Sequence, residues 1–263
     1  MDHLNKTVLK SLEILQYFKL KPQLTFKELE ELSNLPKSTL HRILLTLESQ
    51  RFLKRGEDSK STFELGLELL ELGNLVSSNL KIRKIALPIM EKLRDRVNEA
   101  VNLVIREKNE AVYIEKVDTS QPVRVYTQVG RRAPLYAGAC PRVLLSFMEE
   151  NEINEYLSNI DLTKIGKGTI VDKKKLAKEI ERSRCLGYTV SYGELETESA
   201  AVGVPIRDYT GQVIGGLSIA GPLNRFHSKN IDFFVQEAKQ KAKEISAQMG
   251  FNIKETDFRR ETK

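Results

Sequence analysis

Cysteine, histidine and long apolar runs are all scarce in this chain of 263 residues, and each shortage closes off a class of chemistry. The two cysteines, Cys140 and Cys185, stand far apart with no second Cys or His pair beside either. Neither a disulfide framework nor a zinc site is implied, and reduced thiols are expected. Of the three histidines, His3 and His41 fall in the first fifty residues, which leaves His227 alone in the rest of the chain and too few for a His-based constellation there. No apolar run approaches the ~18 residues of a membrane span. The opening Met1-Asp2-His3-Leu4-Asn5 lacks the basic-then-apolar pattern of a signal peptide, so a cytosolic protein is expected. There is no Gly-x-Ser-x-Gly elbow, P-loop, His-Glu-x-x-His or Cys-x-x-Cys motif. The run Glu194, Glu196, Glu198 reads as a solvated loop more readily than as an acid/base pair. No enzyme, metal site or cofactor is expected, and there are no repeats or low-complexity tracts.

What is present begins at Thr25. In Thr25-Phe-Lys-Glu-Leu-Glu-Glu-Leu-Ser33, Thr25 can cap the first backbone amides and Glu28 stands three residues on, the pattern of a capping box. Phe26, Leu29 and Leu32 recur at helical spacing. Ser33-Asn34-Leu35 forms the turn, and Pro36 opens a second helix where its missing N–H costs nothing. On that helix Leu40, Ile43, Leu44 and Leu47 make one apolar stripe, while Lys37, Ser38, Thr39, His41 and Arg42 crowd the N-terminal end. Phe52 to Arg55 reads as a strand, Gly56 to Ser59 as a turn and Lys60 to Phe63 as the return strand. Helix, turn, helix and short basic hairpin, in that order, are the parts of a winged helix-turn-helix that enters the major groove of DNA. Lys37, Ser38, Thr39, His41 and Arg42 are the candidates for DNA contact on the helix, and Lys54, Arg55 and Lys60 the candidates for phosphates. A small helical subdomain with a basic end is the plainer alternative.

Charge supports DNA only through placement. Residues 1–80 hold eleven Lys/Arg and eleven Asp/Glu, whereas Pro36 to Lys60 holds six basic and three acidic residues. A modest local excess fits a protein that gains phosphate affinity from two copies. The formal charge of +6 mildly favours a polyanionic partner and decides nothing alone.

The length suits one small and one medium domain. Before the helix-turn-helix, Val8, Leu12, Ile14, Leu15 and Phe18 are expected to complete a three-helix core. After the wing, Leu65, Leu67, Leu69, Leu70, Leu72, Leu75 and Val76 give a linker helix with surplus apolar surface, to be buried either against its copy in a second chain or on its own domains. A helix resumes from Lys81, and the period then changes to two: strands at Ala100–Ile105 and Ala111–Val117 around Lys108-Asn109, and a third at Val123–Tyr126. Helices follow at 139–147, 154–159 and 173–185, the last closed by Leu186-Gly187. Strands at 188–191, 201–206 and 212–220 precede a final helix from Ser228 to Met249. The fold class is therefore α+β, with domains at 1–64 (winged helix-turn-helix), 65–80 (linker helix) and 81–253 (an antiparallel α+β unit), and a polar tail at 254–263.

Taken together, Thr25 to Phe63, the linker helix, Val129-Gly-Arg-Arg-Ala-Pro-Leu-Tyr-Ala137, Gly187-Tyr188 and Leu217-Ser-Ile-Ala-Gly-Pro222 resemble the IclR family of bacterial transcriptional regulators, over residues 5 to about 250. The resemblance implies a DNA-binding winged helix, a GAF-like C-terminal domain that takes a small effector, often an organic acid, and a dimer or tetramer. It places the effector site at Ala139 and Cys140 on the helix side, Ser191 and Ala201 at the loop and Ser218 with Ala220 on the strand. Many members have Gly-Lys where this chain has Pro141-Arg142, a Gly where it has Glu198, and a polar residue where it has Ala220. From the residues themselves, Ala137, Gly138 and Ala139 remove bulk at a helix N-terminus and leave N–H groups for a carboxylate, or else merely permit close packing. The rival function is a small-molecule sensor or enzyme with a winged-helix protein-interaction module.

Overall fold

Asn5 starts the first helix by accepting the N–H groups of Thr7 and Val8 on its side-chain oxygen, and α1 runs Lys6–Tyr17. The computed structural model describes residues 4–56 and 61–251, and the chain divides into two units, Met1–Asn79 and Leu80–Lys263. In the first unit, β1 (Gln23–Thr25) leads into α2 (Phe26–Ser33), α3 (Lys37–Ser49), β2 (Leu53–Arg55), β3 (Thr62–Leu65) and α4 (Glu68–Asn79). The capping box forms: Glu28 N–H donates to Thr25 Oγ1 and Thr25 N–H donates to Glu28 Oε2. Asn34 ends α2 in the left-handed region at φ 50°, a conformation Asn tolerates better than most residues, and this sets the turn into α3.

Ile14, Phe18, Leu29, Leu40, Ile43, Leu44, Leu53 and Phe63 close the core. Val8 and Leu12, expected in it, are each 53% exposed, because only the Ile14 and Phe18 side of α1 meets the other helices. The wing has three strands in the order β1-β3-β2, all antiparallel. A three-residue β1 is too short to show a period of two, so the sequence pattern does not reveal it. The return strand begins at Thr62 rather than Lys60, and the expected turn at 57–59 and Lys60 itself lie outside the described residues. At Gly66 a Cβ would stand 1.9 Å from the Arg51 carbonyl oxygen, so only glycine lets the chain leave the wing along this path.

The second unit is built on α5 (Lys81–Val97), β4 (Ala100–Glu107), β5 (Glu110–Val117), β6 (Arg132–Pro134), α6 (Ala139–Ser146), α7 (Glu150–Asn159), α8 (Lys173–Leu186), β7 (Thr189–Tyr192), β8 (Ser199–Arg207), β9 (Val213–Pro222) and α9 (Ser228–Gln248). Its strands form one antiparallel sheet in the order β6-β5-β4-β9-β8-β7. One face packs Val101, Leu103, Val202, Val204, Leu217 and Ile219 against Met90 and Leu93 of α5 and Ala238 and Ile245 of α9. On the opposite face Val104 and Tyr113 join a second core with Cys140, Leu144 and Leu145 of α6. The strand expected at Val123–Tyr126 does not form. Arg132–Pro134 pairs with that edge of β5 instead, and Val123 and Tyr126 lie exposed in a loop. The expected tail lies outside the described residues.

Thr25→Ala removes the hydroxyl half of the box, leaving the backbone N–H to Glu28 in place, and is expected to cost the N-terminal unit about 1 kcal/mol, read as an earlier midpoint in denaturant unfolding. The Lys21 ammonium, followed by the Thr25 N–H and hydroxyl, holds the Glu28 carboxyl down at about 2, below its ordinary 4.5. The stabilisation from this group is therefore present above pH 4.5 and lost as pH falls toward 2. An NMR titration of Glu28 checks this, with the midpoint rising in Lys21→Met.

Candidate DNA interface and effector site

Helix α3 buries Leu40, Ile43 and Leu44 and half-buries Leu47, which turns its other face outward from the first residue. Pro36 precedes it as N-cap with no side chain capping the helix end, so its backbone N–H groups and positive dipole point outward with the polar residues. Lys37, Ser38, His41 and Arg42 are exposed and Thr39 is half-buried. Lys37 comes only within 4.0 Å of Glu30, His41 leans on the Phe26 ring at 6.5 Å, and Arg42 has no acidic partner among the described residues. The wing cations are placed differently. Lys54 pairs with Glu64 at 2.9 Å, and Arg55 pairs with Glu48 at 3.0 Å while stacking on Phe63 at 4.2 Å. A phosphate at either must compete with a carboxylate already in place.

In the second unit the six expected effector residues come to one face of the sheet. Ala100, Ala220, Ala201 and Ser191 form a row across β4, β9, β8 and β7. One pleat deeper, a second row runs Lys116, Asn102, Ser218, Gly203 and Thr189. Helix α6 rests on this face: Thr189 Oγ1 donates to the Ala139 carbonyl at 2.6 Å, and a Cβ on Gly203 would stand 2.7 Å from the same oxygen. Cys140 lies over Gly216, and its thiol bonds the Ser218 side chain and the Val104 backbone. Burial pushes that thiol up to about 12 despite those two hydrogen bonds, so it stays protonated. Small residues here permit close packing, and the helix N-terminus is kept within reach as well. The N–H groups of Ala139 and Cys140 have no acceptor among the described residues.

Glu194 overturns the reading of Glu194, Glu196 and Glu198 as a solvated loop. It is buried, accepts the Gly138 N–H at 2.9 Å and pairs with Arg142, itself only 1% exposed. Arg142 also donates to the Val190 carbonyl at 2.6 Å. Backbone bonds hold the loop from the far side: Gly166 N–H donates to the Glu194 carbonyl and Gly168 N–H to that of Gly193, at 3.0 and 2.8 Å. The exposed Glu196 bonds Arg131. Sequence reasoning missed Asn102, Thr189 and the Arg142–Glu194 pair. Two of these left signals: Asn102 interrupts an otherwise apolar strand at an inward position, and Arg142 interrupts the apolar run Cys140–Leu145.

A winged helix-turn-helix joined in one chain to an α+β unit with this sheet order defines a two-part DNA-binding regulator. Residues 7–57 match the model of the IclR helix-turn-helix domain, and residues 74–247 match that of the bacterial transcriptional regulator IclR C-terminal domain. The chain belongs to the IclR family of transcriptional regulators. It is 47% identical to the HTH-type transcriptional regulator KipR of Bacillus subtilis, over 95% of this chain and all of the other. It is 31% identical to KdgR of Escherichia coli, over 94% and 93%. Among solved structures, the Thermotoga maritima IclR superposes with a TM-score of 0.78 at 32% identity, covering 93% and 99% of the two chains. An IclR homolog from Microbacterium hydrocarbonoxydans complexed with 4-hydroxybenzoate superposes at 0.81 with 28% identity and the same coverage.

Arg142→Met strands Glu194 in the core and is expected to destabilise the C-terminal unit by about 3–5 kcal/mol, whereas adding Glu194→Gln recovers more than half, as urea unfolding would show. With native protein at pH 8, iodoacetamide is expected to label the exposed Cys185 and spare Cys140, a pattern mass spectrometry reads directly.

Proposed function

We propose that the chain binds a palindromic operator as a homodimer or higher oligomer, with α3 in the major groove, and that a small organic acid bound in the C-terminal unit sets the affinity. The observation that carries the DNA reading is the outward, uncapped N-terminal end of α3, bearing Lys37, Ser38, Thr39, His41 and Arg42 on a helix whose other face is core. Arg42, with no acidic partner among the described residues, is the side chain best placed for a bidentate base contact. Lys54, Arg55 and Lys60 are assigned to phosphates.

Dimerisation is supported by apolar surface that the single chain leaves uncovered. No side chain of α4 is buried, and Leu70, Leu72, Leu75 and Val76 are 42% or more exposed. Val8, Leu9 and Leu12 of α1 are likewise open. Two chains read half-sites about one helical turn, ~34 Å, apart.

The effector reading rests on Ala139 and Cys140, whose N–H groups suit a carboxylate, on the Ser218 hydroxyl, and on Ser191, Ala201 and Ala220 as the wall. Glu194 does not oppose an anion here, since Arg142 neutralises it. A protein of the same fold holds 4-hydroxybenzoate, a small carboxylate.

Selection of bound genomic fragments is expected to return inverted half-sites. Arg42→Ala should flatten preference at one or two base pairs by about 1–3 kcal/mol, while Lys60→Ala weakens all sequences alike and lowers the salt slope by ~0.9. A single unpaired contact region in footprints would contradict the dimeric reading. Leu75→Glu should give monomers in sedimentation and at least tenfold weaker operator binding.

A further inference from the structure

Asn102 is 2% exposed at the centre of the sheet, and its Oδ1 finds no donor among the described residues. Such an amide oxygen is costly to leave unmet in a protein interior. Its neighbours explain why it is unmet. Across one strand boundary, Ser218 is engaged with the Cys140 thiol. Across the other, Lys116 turns away to Asp118 at 2.9 Å and to the face of Tyr126 at 4.3 Å. The cross-strand partners Gly203 and Thr189 beyond Ser218 are covered by Ala139, the first residue of α6. Asn102 therefore lies on the α6 face, next to Ser218, which with Thr189 links the sheet to the first turn of that helix. Along this row Ser218 stands between Asn102 and the positions that Ala139 covers.

We propose that Asn102 reads the neutral end of the effector: the ligand is a small carboxylic acid that also carries a hydroxyl or amide N–H donor, and Asn102 Oδ1 accepts that donor. This rests on the effector reading above and narrows it to hydroxy- or amido-acids. A site with a buried acceptor discriminates strongly against an analogue that cannot donate, because the acceptor then stays unpaired. The same residue explains why a polar side chain occupies an inward position between Val101 and Leu103, both fully buried in the core of the other face.

The test uses the full chain. Lactate, 4-hydroxybenzoate and N-acetylglycine, each beside its O- or N-methylated counterpart, are titrated calorimetrically into wild type and Asn102→Ala. At least one donor-bearing acid is expected to bind wild type about tenfold or more tighter than its methylated partner, and Asn102→Ala is expected to shrink that ratio below about twofold while the methylated acid keeps its affinity. A ratio unchanged in Asn102→Ala overturns the assignment and leaves the effector reading standing. Binding by none of the acids sinks both. A second measurement needs no ligand: Asn102→Leu removes an unmet amide and should raise the melting temperature of the C-terminal unit by roughly 2–4 °C. A fall of that size would mean the amide is paired in the resting protein, and the proposal fails.

Discussion

The contact between helix α6 and the sheet governs the C-terminal unit, because it fixes where the helix N-terminus lies. Two positions on the sheet must be free of side chains for it to exist. At Gly203 a Cβ would overlap the Ala139 carbonyl, and at Gly216 it would crowd Cys140 at 3.2 to 3.3 Å. Thr189 then bonds the Ala139 carbonyl from the neighbouring strand, so the first turn is held by a side chain as well as by shape. With the helix pressed down, its apolar residues Val143, Leu144 and Leu145 are excluded from water and Arg142 is carried into the interior. A guanidinium there is tolerable only with an anion beside it, and Glu194 supplies one. The β7–β8 loop is consequently anchored to the helix, which is why a run of three glutamates that reads as surface contains one of the most buried carboxylates in the chain.

That arrangement leaves the helix end electrically usable. The Arg142–Glu194 pair is neutral as a unit, and Glu194 takes only the Gly138 N–H. The next two amides keep the partial positive charge of the helix end within an environment where charge is poorly screened, so an anion placed there gains more than it would at the surface. The N-terminal end of α3 follows the opposite design. Its uncapped amides and polar side chains face water, where their attraction for phosphate depends on salt. The wing cations Lys54 and Arg55 are held by Glu64 and Glu48, two of the eleven acidic residues that balance the eleven basic ones over residues 1–80. Intramolecular carboxylates weaken the attraction of these side chains to polyanions.

Much of this was legible because local rules and tertiary packing agree. Thr25 and Glu28 announce a capped helix, Asn34 and Pro36 announce the turn, and the Leu40, Ile43, Leu44 stripe fixes which side of α3 is left exposed. In the sheet unit, Lys108-Asn109 and Leu186-Gly187 marked a hairpin and a helix end from short-range chemistry alone. What escaped was set by distant partners. Gln23–Thr25 is a strand only because β3 lies beside it, whereas Val123–Tyr126 finds no strand to pair with and Arg132–Pro134 pairs with β5 at Glu110–Val112. Both segments have strand-like or neutral composition, so sheet membership is decided by competition for hydrogen bonds. The placement of Ser191, Ala201, Ser218 and Ala220 in adjacent rows follows from the alternation of strands, which the pattern carries. The Arg142–Glu194 pair joins residues fifty-two apart and no local spacing encodes it.

The uncovered apolar side chains of α1 and α4 bear on how a ligand in one unit could influence DNA bound by another. A ligand shifts an equilibrium only by its difference in affinity for two states. Beside the candidate site, the β7–β8 loop and the 163–170 segment are joined by backbone hydrogen bonds. Glycines at 166 and 168 bring that segment's backbone onto the loop, where a Cβ would stand 2.2 and 1.8 Å from the carbonyl oxygens of Gly193 and Tyr192. Ser191 and Ala201, in the proposed wall of the effector site, lie on the two strands that this loop joins. A ligand that binds one arrangement of this loop more tightly than another shifts the unit toward it.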